Sequence, residues 1–253
     1  MKIAVFGGAG WVGRAIIENL SRGHEVRPCD RSAEAWKAVA RIDGEWRGEV
    51  LHGDVADYGA VDRALDGMDA VVHAAVYFSG APGAYGVDDD LPFLVNLKGL
   101  WNVLEAARTR GIRRVVHIGS CQVVHPEGVF FSSEVRRPDA GLYSVSKRLQ
   151  EEMCRQYHDA FGMSIVVLRP CSIVDLRKGI NKLGEPLKPG SWNVSCVCRH
   201  DLAQACRLAL EKEEIGLEVL SIAGDPEAER HCNAGRAREI LDLEFAGDAE
   251  PYR

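Results

Sequence analysis

The sequence predicts an α/β fold: a doubly wound parallel sheet with helices on both faces and a small C-terminal lobe. Short apolar runs alternate with helical patterns through the first 170 residues, as a strand–helix repeat requires. Most of these runs are continuously apolar rather than alternating, which suits strands buried on both faces. The first run is followed at once by a glycine-rich turn that leads into a helical pattern. Together these features indicate a sheet of the Rossmann type.

In chain order, strands are predicted at residues 3–6, 25–29, 49–52, 70–75, 114–118 and 164–168. Helices are predicted at 12–22, 58–65, 91–110 and 142–161, followed by Gly23, Gly67, Gly111 and Gly162. Glycine there supplies the left-handed residue that stops a helix. After Pro170 the character changes. Residues 171–193 contain Gly179, Gly184, Pro186, Pro189 and Gly190 and read as a long ordered loop. A strand at 194–199 follows, then a helix whose start is read as a capping box of Asp201 and Gln204. A strand at 217–223 and a short helix at 233–241 complete the pattern. Residues 1–170 thus form the core, and 171–253 a small lobe that completes the same domain.

Composition narrows the class of protein. With 253 residues, 46% of them hydrophobic, the chain can bury a core without disulfide or metal staples. Arg and Lys number 31 against 37 Asp and Glu, a net charge of −6, and no segment concentrates the basic residues. Nucleic acid and anionic membranes are therefore poor partners. The opening apolar run is too short for a signal peptide, and no stretch approaches a transmembrane helix. The eight cysteines lack disulfide-framework spacing, and most lie in apolar runs. Free thiols in a reducing cytoplasm follow. Cys196, Cys198 and His200 alternate along one predicted strand, with His231 and Cys232 later, but no CxxC pair frames a zinc site, and no metal is expected.

Three constellations carry chemistry. Gly7, Gly10 and Gly13, with Trp11 and Val12 between them, stand between a strand and a helix. Glycines there allow a tight turn, let backbone N–H groups approach a pyrophosphate, and pack helix against strand. Asp30 ends the second strand, where an acid hydrogen-bonds the ribose hydroxyls of NAD; alternatively it caps the helix that follows. The neighbouring Arg31 leaves NADP open, because an arginine there can accept a 2′-phosphate. Asp54 and Val55, after the third strand, are placed beside the adenine, or Asp54 caps the next helix. Finally, Tyr143 and Lys147 lie one helical turn apart on the same face. A lysine cation there favours phenolate and makes Tyr143 a general base for an alcohol or acid for a carbonyl. Ser120, at the end of the fifth strand, is placed to hold the reacting oxygen.

These residues resemble the extended short-chain dehydrogenase/reductase family of NAD-dependent epimerase/dehydratase type, from Lys2 to about Ala223. The glycine motif, Asp54-Val55, Val72-His73-Ala74-Ala75, Asn96-Leu97-Lys98-Gly99, Ser120, Tyr143-x-x-x-Lys147 and Leu168-Arg169-Pro170 follow the family order. His200-Asp201-Leu202-Ala203 is similar to a late Asp-Asp-Leu-Ala element. The resemblance implies a catalytic triad of Ser120, Tyr143 and Lys147. It also implies that Lys147 binds the nicotinamide ribose and that the Ala74–Ala75 backbone lines the cofactor. Asn96 is read as structural. Three departures stand out: Phe6 where threonine is common, Gly119 in place of a serine, and Val124-His125 in place of Tyr-Gly.

Family members that act on nucleotide sugars are mostly longer, and only 83 residues follow Pro170 here, which favours a small free sugar, sugar acid or aldehyde. The segment from Arg137 to Lys147 and the Ser191-Trp192 element are similar to uronate dehydrogenases, which oxidise a hexuronate at the anomeric carbon with NAD. Tyr77, Cys121, Gln122, Ser172 and Arg177 are the candidate substrate contacts, with Arg177 proposed for a carboxylate. The expected reaction moves hydride between a sugar-type carbon and the nicotinamide while Tyr143 carries the proton. Two alternatives are an epimerase or dehydratase acting on a nucleotide sugar and a non-catalytic dinucleotide sensor. The resemblance further implies a homodimer through the helices before and after the fifth strand.

Overall fold

The computed structural model describes residues 1–78, 90–125, 130, 138–213 and 215–253. Seven parallel strands form the main sheet: β1 (Lys2–Phe6), β2 (Glu25–Asp30), β3 (Leu51–His52), β4 (Ala70–His73), β5 (Arg114–Ile118), β6 (Ser164–Pro170) and the late β10 (Leu217–Ile222). Their order is β10-β6-β5-β4-β1-β2-β3, so the chain reverses direction across the sheet between β1 and β4. Ligands bind at that switch point in open α/β sheets, outside the carboxyl ends of the strands.

Continuous apolarity in the strands has the predicted cause. Ile3 and Val5 face a layer containing α1 (Trp11–Leu20) and α7 (Arg199–Glu211), together with α8 (Ala234–Leu241). Ala4 and Phe6 face the opposite layer of α4 (Tyr58–Ala64), α5 (Gly99–Thr109) and α6 (Leu142–Phe161). A π-helical stretch, Pro92–Lys98, precedes α5. Between β2 and β3 lie two short helices, α2 (Ala33–Ala38) and α3 (Ala40–Asp43).

The C-terminal third differs from its sequence reading. Residues 171–193 are not an uninterrupted loop. They contain β7 (Ser172–Asp175) and β8 (Ile180–Asn181), which pair with each other and, through β7, with β9 (Cys196–Cys198). Only part of residues 171–253 forms a lobe, because α7 packs in the core layer and β10 is a core strand. Helix α7 starts at Arg199, two residues before the expected cap. Asp201 instead accepts the backbone N–H groups of Ala246 (3.0 Å) and Gly247 (3.3 Å), and so fastens the C-terminal segment. Arg199 joins α7 to both α3 and β7. It pairs with Asp43 at 2.6 Å and Asp175 at 2.6 Å and stacks 3.9 Å from the Trp11 ring centroid.

Candidate active site

The turn after β1 needs its glycines for space. Gly7 has φ +80°, and a Cβ there would stand 2.5 Å from the backbone nitrogen of Ala75. A Cβ on Gly13 would stand 2.0 Å from the carbonyl oxygen of Gly7. Only hydrogen at these positions lets α1 begin directly above the strand end. The turn opens onto a cleft of about 430 Å³ lined by Gly7, Gly10, Asp30, Arg31, Asp54, Val55, Ala74 and Ala75. Asp30 caps no helix. Its carboxylate accepts the N–H groups of Ala9 (2.9 Å) and Arg31 (2.8 Å) and remains on the cleft wall. Asp57 rather than Asp54 caps α4, accepting the N–H of Gly59 at 2.8 Å.

A second cavity of about 210 Å³ shares Gly7, Gly10, Ala74 and Val76 with the first. Its walls bring together Trp11, Val12, Gly13, Ser120, Tyr143 and Lys147, residues up to 136 positions apart in the chain. Tyr143 is on the first turn of α6, with Phe78 edge-on at 5.0 Å between ring centroids. Lys147 is fully buried; its Nζ donates to the Ile118 carbonyl at 2.9 Å and lies 5.8 Å from the Tyr143 ring centroid. Burial lowers the Lys147 ammonium to about 8, against the opposing pull of Glu151. Ser120 is buried and caps the turn Cys121–Val123, its Oγ accepting the Gln122 N–H at 3.2 Å.

Two buried elements behind this wall were not assigned to the site from sequence. Asn96 accepts the Tyr77 N–H at 2.8 Å and donates to the Tyr77 carbonyl and Ser146 hydroxyl, each at 3.1 Å. It therefore fixes the strand exit after β4 to α6, the helix that carries Tyr143. His73 and His117 face each other across β4 and β5, Nδ1 to Nδ1 at 3.1 Å, both wholly buried. Desolvation, and then the Lys147 charge, hold His73 down at about 3 and His117 well below its ordinary range. Both rings are therefore neutral at pH 7. Histidines inside two otherwise aliphatic strands were the available signal.

The candidate substrate residues are not all brought together. Tyr77 lines the larger cleft. Cys121 is buried directly after Ser120, and Gln122 accepts from the Ser144 hydroxyl at 3.4 Å. Ser172 accepts from the Ser195 hydroxyl at 3.0 Å beside the cavity-lining Cys171. Arg177 is placed elsewhere. It pairs with Glu18 at 3.1 Å in a different hollow, because β7 turns the chain away from the cleft before reaching it. Arg137 lies outside the described residues. Among the described residues, no cluster of three or more His, Cys, Asp or Glu side chains could hold a metal ion, and no helix is long and apolar enough to cross a membrane.

A glycine turn at a sheet switch point shares a cavity wall with buried Ser120 and Lys147 and half-buried Tyr143, the arrangement that the resemblance to the short-chain dehydrogenase/reductase family implies. Residues 3–181 match the NAD dependent epimerase/dehydratase family, and the chain belongs to it. Among curated relatives, it is 30% identical over 179 residues to a 3 beta-hydroxysteroid dehydrogenase/Delta 5-->4-isomerase of Mycobacterium tuberculosis, covering 68% of this chain and 47% of that protein. It is 31% identical over 178 residues to a uronate dehydrogenase of Pseudomonas syringae pv. tomato, covering 66% and 58%. The chain thus spans about half the length of these relatives. The UDP-glucuronic acid 4-epimerase of Bacillus cereus in complex with NAD has the same fold, with TM-score 0.74, 19% identity, and coverage of 100% of this chain and 96% of that one.

Proposed function

We propose that the chain is an NAD-dependent oxidoreductase acting at a hydroxyl or carbonyl carbon of a small sugar or sugar acid. The observation that carries this reading is the shared cavity: Ser120, Tyr143 and Lys147 meet on the wall that continues the glycine turn. The cleft fits a dinucleotide: Gly7 and Gly13 close the turn tightly against backbone, and Gly10, which lines the cleft, leaves its backbone open to a pyrophosphate. Gly7, Gly10, Trp11, Val12 and Gly13 would hold the diphosphate, Asp30 the ribose hydroxyls, and Asp54 and Val55 the adenine. When bound, NAD supplies the hydride acceptor. Tyr143 takes the hydroxyl proton at its phenolic oxygen, or returns it to a carbonyl. Ser120 Oγ orients the substrate oxygen, and the buried Lys147 cation favours the phenolate.

Asp30 on the cleft wall favours NAD over NADP, since a carboxylate repels a 2′-phosphate. The uronate dehydrogenase relative supports a sugar acid. Among the described residues lining the smaller cavity, Lys147 is the sole cation, so neutral aldoses belong in the same test. All eight cysteines are free, in keeping with a cytoplasmic enzyme. Exposed Trp101 on α5 and Leu149 and Phe161 on α6 would form the homodimer contact.

The test is a panel of free uronates, aldoses and nucleotide sugars offered with NAD and with NADP, following nicotinamide absorbance. NADH formed with a free sugar or uronate is the expected result. Conversion of a nucleotide sugar without NADH accumulation would assign the site to an epimerase instead.

A further inference from the structure

Two thiols stand beside the catalytic serine, and the reaction proposed above uses neither. Strands β5 and β6 run in register, Ile118 beside Leu168, and the Gly119 N–H extends the pairing to the Leu168 carbonyl at 2.7 Å. Three residues beyond Ile118 and Leu168, just past the ends of the two strands, stand Cys121 and Cys171. Their thiols lie close enough to interact. Cys171 lines the smaller cavity with Ser120, Tyr143 and Lys147, so it is reachable through the cleft; Cys121 is buried behind it. The hydroxyl of Ser172 is 4.0 Å from the Cys171 sulfur, and the Ser195 hydroxyl lies close by.

These contacts separate Cys171 from the other cysteines. The Cys121 thiol first, then the two serine hydroxyls, stabilise a Cys171 thiolate and hold it below the ordinary thiol range. Burial does the opposite elsewhere, pushing Cys29 up to about 12 and raising Cys154 and Cys206 as well. A thiolate that is accessible and has a second thiol in contact is the arrangement that oxidises to a disulfide.

We propose that Cys171 is a peroxide-reactive thiol of the substrate cavity, with Cys121 as its resolving partner. The Cys171 thiolate attacks one oxygen of a hydroperoxide, breaking the O–O bond. It becomes a sulfenic acid, and the other oxygen leaves, with a proton, as water or an alcohol. Cys121 sulfur then displaces the sulfenic oxygen, which departs as water, and the disulfide forms. Overall the two thiols lose two electrons and two protons, and the peroxide is reduced. Because Cys121 follows Ser120 directly, the link re-aims the serine and narrows the cavity, while the larger cleft stays open. Oxidation therefore stops turnover and leaves NAD binding intact.

The test treats the reduced protein with hydrogen peroxide, blocks remaining thiols and maps cross-links by mass spectrometry. The expected product has lost two hydrogens and joins the peptides of Cys121 and Cys171; dithiothreitol reverses it. Before oxidation, iodoacetamide should label Cys171 at least about tenfold faster than Cys29. C171S should give no cross-link, and C121S should let Cys171 proceed to sulfinic acid. Should either variant fail to fold, the wild-type cross-link map decides alone. A disulfide to Cys196 or Cys232, equal labelling of Cys171 and Cys29, or loss of NAD binding on oxidation would overturn the proposal. The mass readout is independent of which sugar, if any, is turned over.

Discussion

The two halves of the cleft are built by different means. The half under the glycine turn is shaped by backbone: Gly7 packs against the Ala74–Ala75 peptide and Gly13 against the Gly7 carbonyl too closely for any side chain. The other half is shaped by side chains drawn from remote segments: Ser120 after β5, Tyr143 and Lys147 on α6, Cys171 after β6. Backbone-built recognition depends on a local run of residues and tolerates little change within it. Side-chain-built chemistry depends on buried polar groups whose charge states the fold must sustain, so it is coupled to stability and pH.

Lys147 is the sharpest test of that coupling. Replacing it with Met should lower turnover by about 10²–10⁴-fold, the usual contribution of an assisted proton transfer. The same change should stabilise the protein. Burial lowers the lysine from 10.5 to about 8, so the unfolded chain holds its proton more firmly between those values. Below pH 8 the folded state therefore carries the whole penalty, which fades as pH rises toward 10.5. Allowing for the lost bond to Ile118, Lys147→Met should gain about 1–3 kcal/mol at pH 7, visible in thermal melts. A wild-type rate that declines above about pH 8 should accompany it.

The histidine pair extends the same logic to acid. His73, at about 3 in the fold and 6.5 unfolded, contributes stability that is lost as pH falls from 6.5 toward 3. The loss should amount to about 3–5 kcal/mol in urea titrations at successive pH values. A His73→Val/His117→Val double variant should flatten that decline. Asp175, held low despite its burial by His200, the Lys178 N–H and Arg199, loses its contribution only below the ordinary carboxylate range, so the two effects separate by window.

On the backbone-built half, Gly13→Val should weaken NAD by about 100-fold in calorimetry, or about 2.7 kcal/mol, since its Cβ invades the turn. Asp30→Asn should do least, narrowing the preference for NAD over NADP by about tenfold.

The contrast also explains what was legible in the sequence. The glycine turn, the first six strands and helix α6 could be read because they follow from local composition and periodicity. The lobe could not, because β7 is held by β9, which lies more than twenty residues further on. Asp201 had the composition of a cap, but a distant segment, Ala246–Gly247, claimed its carboxylate. Arg177 was near Ser172 in sequence, yet the turn at Asp175 sends it toward Glu18. The Cys121–Cys171 contact depends on strand register, which one chain read alone does not reveal.

In the proposed function one half of the cleft binds the cofactor and the other half reacts. Tyr143→Phe tests it most directly, with NAD affinity by calorimetry and NADH formation on the responding sugar measured on one preparation. Affinity within about twofold of wild type with turnover down by at least about 10²-fold is the result the structure predicts. Undiminished turnover would contradict it.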